Sequence, residues 1–185
     1  YRDLASCSEA IVAIMGQPFL PSALEFLDVN ALALLRSHYP DMLPNDSEAM
    51  LVIEVDGSAQ DVANAQAAIA VACQTAGLID VATIAQPAAL WAARKALSPL
   101  LRDVAPKKIN EDVVVPVSCL PELLSGVARI VAEHGVRNVN FGHAGNGNIH
   151  VNLLINPADP GELSRGELCL QQVFDLVISL NGALS

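Results

Sequence analysis

Residues 136–155, VRNVNFGHAGNGNIHVNLLI, constrain this chain more than any other stretch. Two runs of strand-forming residues flank a Gly/Asn cluster, which is the pattern of a β-hairpin. Asn146-Gly147 is the expected turn, because a two-residue type I′ loop needs φ > 0 at both central positions and Asn and Gly tolerate that best. Counting outward from this turn puts His143 directly opposite His150. Strand alternation then sends His150, Asn152 and Leu154 to one face and Ile149, Val151, Leu153 and Ile155 to the other, apolar face.

Two opposed neutral imidazoles can chelate a divalent metal, and one turn fixes both at little extra entropic cost. A hydrogen-bonded structural pair is the other reading that the spacing allows. A phosphate cradle at Gly145-Asn146-Gly147-Asn148 is the weakest reading, since the strand-to-helix context and the lysine of such loops are missing.

With 185 residues and a 52% hydrophobic composition, the chain can bury a sizeable core as one domain. A formal charge of −10 repels phosphate backbones and argues against nucleic acid as a partner. Cys7, Cys73, Cys119 and Cys169 are widely spaced, which predicts neither a disulfide framework nor a zinc cluster and fits a reducing, cytoplasmic setting. The uncharged run 62–79 carries Asn64, Gln66, Gln74 and Thr75, so it reads as an Ala-rich helix and not as a transmembrane span.

Taken in order, residues 8–16 read as the end of a helix. Residues 21–29 read as a strand with Ala23, Glu25 and Leu27 on one face. Asp28 is the expected N-cap of a helix over 29–38, and Glu25 receives no catalytic role. Residues 49–56 and 78–84 read as further strands. A helix over 88–104 carries Trp91, Arg94, Lys95 and Ser98 on one side, a face that can clamp a carboxylate or simply be solvated. The strand beginning near Lys108 ends at Pro116. Helices over 120–134 and 164–179 follow, the first with an apolar stripe of Leu123, Leu124, Val127, Ile130 and Val131. His134 and His38 sit in last turns of helices and stay outside the candidate site. The alternation of elements predicts a sheet covered by helices on one face.

The segments HAGNGNIH, KINEDVVVP and WAARKALSP resemble the C-terminal domain of the FAD-linked oxidases that act on D-2-hydroxy acids. That family includes the glycolate oxidase flavoprotein subunit, D-lactate dehydrogenases and D-2-hydroxyglutarate dehydrogenase. The resemblance covers nearly the whole chain, and it implies an α+β, ferredoxin-like fold with a largely antiparallel sheet covered by helices. Composition alone does not separate that from a parallel α/β sheet. Where the family carries Asp in H-x-G-D-G-N-x-H, this chain has Asn146, which removes one negative charge beside the site.

The resemblance also implies roles. Arg94 and Lys108 would bind the substrate carboxylate, with Ser98 and Asn152 supporting the substrate. Lys108 is preferred to Lys107 because it directly precedes Ile109-Asn110-Glu111-Asp112. His143 and His150 would hold a divalent metal, zinc or manganese. Asn146, Asn148 and Glu111 would approach FAD, although a polar edge strand accounts for Glu111 and its neighbours equally well. The third metal ligand and the catalytic base would lie in a G-E-H-G segment just after Ser185, and the FAD-binding domain would precede Tyr1 in the same parent chain. Residues 1–185 alone are therefore expected to be a truncated substrate domain without activity. The intact parent would oxidise glycolate, D-lactate or a similar acid, in the cytoplasm or on a membrane through partner subunits, with an iron-sulfur or other electron-acceptor subunit as partner. A non-catalytic metal- or ligand-binding module, or a flavin cap domain for another alcohol, is the competing expectation.

Overall fold

The alternating segment NIHVNLLI becomes the strand on which both faces of the fold are built. The computed structural model describes residues 1–40, 42–43 and 46–184, so Ser185, beside the expected G-E-H-G segment, lies outside the described residues. Its strands are β1 (Ala23–Leu27), β2 (Met50–Glu54), β3 (Lys107–Val114), β4 (Arg137–His143), β5 (Asn148–Ile155) and β6 (Ala183–Leu184). They form one sheet in the order β2-β1-β4-β5-β3-β6, and every neighbouring pair is antiparallel. The helices are α1 (Leu4–Gly16), α2 (Val29–His38), α3 (Ala59–Ala72), α4 (Ala88–Val104), α5 (Leu120–His134) and α6 (Pro160–Ser179). The succession β3-α5-β4-β5-α6-β6 is the split βαββαβ unit of ferredoxin-like folds, and β1 and β2 extend its sheet beyond β4. The α+β, antiparallel expectation is met.

The sheet is covered on both faces, not one. Ile149, Val151, Leu153 and Ile155 pack with α1, α5 and α6, while Leu154, Val139 and Phe141 pack with α2 and α4. An isolated apolar stripe shows which side of a helix is buried but not against which face of the sheet, so the sequence could not distribute the helices. Alpha-helix α5 buries Leu120, Leu123, Leu124, Val127, Ile130 and Val131, and Gly135 ends it in the left-handed conformation at φ 60°. Ser58 and Asp61 form a reciprocal capping box at the start of α3.

Residues 78–84 do not form the expected strand. They carry no regular structure, and Val81 and Ile84 are half exposed. A strand requires a neighbour to satisfy its backbone, and no strand among the described residues pairs with this segment. No helix among the described residues is long and apolar enough to cross a membrane. All four cysteines are free, and burial raises the Cys169 thiol to about 11.

Asp28 caps α2 as expected and also ties it to the sheet. One carboxylate oxygen accepts the Ala31 N–H at 2.8 Å, and the other accepts the Asn140 N–H at 2.8 Å. Burial raises its pKa to about 7, outweighing the backbone hydrogen bonds that lower it. A carboxyl whose folded pKa is raised contributes stability that is full below its unfolded value of about 4 and is lost as pH rises through the folded value. Urea unfolding of the wild type should therefore weaken between about pH 4 and 7, and Asp28→Asn should flatten that slope. Parallel slopes in the two proteins would show that Asp28 is ionised throughout.

Candidate active site

The turn between β4 and β5 differs from the two-residue loop in an instructive way. Ala144–Asn146 form a 3-10 turn and Gly147 closes it at φ 76°, donating its N–H to the Ala144 carbonyl at 3.1 Å. Asn146 keeps a negative φ and accepts the Asn148 N–H through its side chain, so the type I′ geometry, which needs two positive φ values, does not arise. Ala144 is fully buried in the core on the α1 side, which draws the loop down onto the sheet. Gly142 permits the close strand approach beneath it, where a Cβ would meet the Asn148 carbonyl at 2.4 Å.

The register consequently moves by two residues. His143 lies opposite Asn148, and His150 lies opposite Phe141. A shift of two preserves the face, so both imidazoles still project to one side, now as a diagonal pair. Their ring centroids are 5.2 Å apart at an interplanar angle of 84°.

Each imidazole is held by a carboxylate from the neighbouring strand. Glu25 of β1 lies opposite His143, whose Nδ1 bonds to its Oε1 at 2.5 Å. Asp112 of β3 lies opposite His150, whose Nδ1 bonds to its Oδ1 at 2.6 Å. An Nδ1–H committed to a carboxylate leaves Nε2 with its lone pair, which is how ligating and proton-accepting histidines are usually oriented. Metal-ligand capacity is incomplete within these residues: no group of three His, Cys, Asp or Glu among the described residues is placed to hold an ion.

Alpha-helix α4 supplies the opposite wall. Arg94 donates from Nε and a terminal nitrogen to Glu25 Oε2 at 2.8 and 2.6 Å, and its guanidinium lies 4.6 Å over the centre of the Phe141 ring. Lys108 donates to Ser98 Oγ at 2.9 Å. Arg94, Lys108, Ser98, His143 and His150 thus line one cleft of about 370 Å³. Trp91 stands at its rim, donating to Glu54 at 2.9 Å.

The remaining candidates are placed differently. Asn152 shares the face but lies beneath the cleft, fully buried, with Nδ2 on the Val139 and His150 carbonyls and no partner for Oδ1 among the described residues. Asn148 Oδ1 is also a buried acceptor without a partner among the described residues, directly across from His143. Asn146 is used by the turn itself. Glu111 pairs with Val151 and projects to the other face of the sheet, away from the cleft.

Glu25 is the residue that the sequence reading set aside. It is only 5% exposed, at the centre of the apolar strand ALEFL. That position was itself the signal, because a carboxylate in the middle of a buried strand must find a charged or hydrogen-bonded partner.

A family model described as "FAD linked oxidases, C-terminal domain" matches residues 1–185. The chain is 27% identical to the glycolate oxidase subunit GlcD of Bacillus subtilis and 30% identical to that of Escherichia coli K12. These alignments cover 100% and 95% of this chain but 40% and 36% of the relatives, so it spans well under half of their length. In fold it is similar to a solved structure of alkyldihydroxyacetonephosphate synthase, with a TM-score of 0.63 and 12% identity over 100% of this chain and 39% of the other.

Proposed function

The chain belongs to the C-terminal domain family of the FAD linked oxidases, and from that premise we propose that it is the substrate-binding domain of a flavin-dependent dehydrogenase or oxidase of D-2-hydroxy acids. The parent oxidoreductase would convert glycolate, D-lactate or a similar acid to the 2-oxo acid. An FAD-binding domain of the same chain would hold the flavin, and an electron-acceptor subunit would take the electrons onward.

The observation that carries this reading is the cleft itself, which sets the cations Arg94, Lys95 and Lys108 beside two carboxylate-oriented imidazoles. Lys108 forms no ion pair among the described residues and donates to the neutral Ser98 hydroxyl. It would bind the substrate carboxylate, with Ser98 fixing its ammonium. Arg94 would present its outer edge to the same group, and Phe141 beneath the guanidinium keeps water from its inner face. With the carboxylate so anchored, the α-hydroxyl would lie toward His143 and His150, and orientation of this kind is a large part of catalytic advantage. The buried Asn148 Oδ1 offers an acceptor to an N–H or O–H group of flavin or substrate.

His143 and His150 would offer Nε2 to two positions of a zinc or manganese site, whose other ligands would come from elsewhere in the full-length chain. When bound, such an ion supplies Lewis acidity at the substrate hydroxyl, and FAD supplies the hydride acceptor.

Dye reduction by the full-length chain with glycolate and D-lactate tests the activity. Lys108→Met should lower kcat/KM by about 10- to 150-fold, the worth of one charge-assisted hydrogen bond, chiefly through KM. An unchanged KM would move carboxylate recognition out of this cleft.

A further inference from the structure

One carboxylate in this cleft has two functional partners from two different elements. Glu25 gives Oε2 to Arg94 of α4 and Oε1 to His143 of β4, and no hydrogen bond among the described residues joins Arg94 to His143 directly. The two groups meet only through β1. Their inner donors are spent on Glu25, whereas Arg94 NH1 and His143 Nε2 make no hydrogen bond among the described residues. His143 is 51% exposed in its side chain, so that free nitrogen borders open space.

We propose that Glu25 is a positioning residue that sets the carboxylate-binding edge of Arg94 and the hydroxyl-facing nitrogen of His143 as one unit. The inference rests on the reading of this cleft as a 2-hydroxy acid site. In such an acid the carboxylate and the hydroxyl sit on adjacent carbons, so the groups that receive them must keep a fixed mutual placement. A bridge made of one rigid planar carboxylate supplies that placement, and side chains set independently by α4 and β4 would not. Stability alone gives little reason for the arrangement. A buried ion pair usually contributes no more than apolar residues of the same volume, and Leu27, on the same face of β1 as Glu25, is fully buried in the apolar cluster beneath α2 and α4. Asp112 differs from Glu25 in burial, its side chain being 34% exposed against 7%.

The test uses the full-length chain and two readouts. The first is kcat and KM with D-lactate. The second is calorimetric affinity for 2-hydroxyisobutyrate, which has the carboxylate and hydroxyl but no α-hydrogen to lose. Glu25→Gln, nearly isosteric, should lose about tenfold or more in both kcat and affinity while its melting curve stays cooperative. Glu25→Asp keeps the charge but is one methylene too short to reach both partners, so it should fail to restore either value. Arg94→Lys and His143→Gln should be non-additive for 2-hydroxyisobutyrate binding with Glu25 present and additive in Glu25→Gln. Additivity with Glu25 present, or full rescue by Glu25→Asp, would overturn the bridge. Should Glu25→Gln not fold, the cycle with Glu25 present still decides. If neither Arg94→Lys nor His143→Gln alters binding or turnover, the 2-hydroxy acid reading of the cleft fails instead.

Discussion

Arg94→Ala in the full-length chain should both destabilise this domain, by about 3–5 kcal/mol, and reduce kcat/KM by at least the 10- to 150-fold expected of one lost charged hydrogen bond. The stability effect follows from burial. The side chains of Arg94 and Glu25 are 11% and 7% exposed, so removing the guanidinium leaves a carboxylate out of water with one imidazole as its partner. Loss of packing against Phe141 adds to this. The two effects separate in a paired variant. Arg94→Met with Glu25→Leu replaces the ion pair by apolar volume and should recover most of the unfolding free energy, yet it should remain inactive because the anion-binding edge is gone. Urea denaturation and steady-state kinetics on the same preparations measure both. A single variant that unfolds at the wild-type midpoint would show that Glu25 does not depend on Arg94. A paired variant with normal turnover would remove Arg94 from the site.

Much of the scaffold was legible because it rests on local rules. The stripe in 120–134, Asp28 as a cap and the helix over 88–104 each follow from periodicity or a short side-chain reach, and each appears with the expected bounds. The failures are tertiary. Residues 78–84 have strand-like composition, but a strand exists only if a neighbour does. The turn residues permit a type I′ loop, and it was the burial of Ala144 that selected the longer turn instead. The histidine pair survived that error because the register moved by an even number of residues. A shift of one would have put His150 in the core.

The charged partners were hidden for a different reason. Glu25 and Arg94 are 69 residues apart, and Glu25 and His143 are 118 apart. No spacing rule reaches so far. Only the order β1-β4-β5-β3 brings the side chains of Glu25, His143, His150 and Asp112 together on one face of the sheet, as two neighbouring cross-strand pairs.

Gly147→Val should be the most damaging single change in the turn, costing more than about 4 kcal/mol or preventing folding. Gly147 lies at φ 76°, where a β-branched residue is strained by about 1–3 kcal/mol on backbone grounds alone. An added Cβ would also stand 1.9 Å from the Val115 carbonyl oxygen. That oxygen belongs to backbone, and the Val115 N–H donates to the Gly147 carbonyl at 3.1 Å, so neither side can withdraw without losing the contact that pins the turn to the end of β3. Gly147→Ala carries the same clash with a smaller side chain and should lose nearly as much. Asn146→Asp, one residue earlier, keeps the side-chain oxygen that accepts the Asn148 N–H and should stay within about 0.5 kcal/mol of wild type. Chemical denaturation of the three variants would separate the causes. A Gly147→Ala protein within about 1 kcal/mol of wild type would mean that the turn can open away from Val115, and the β4–β5 register that sets His143 diagonal to His150 would then be only loosely fixed.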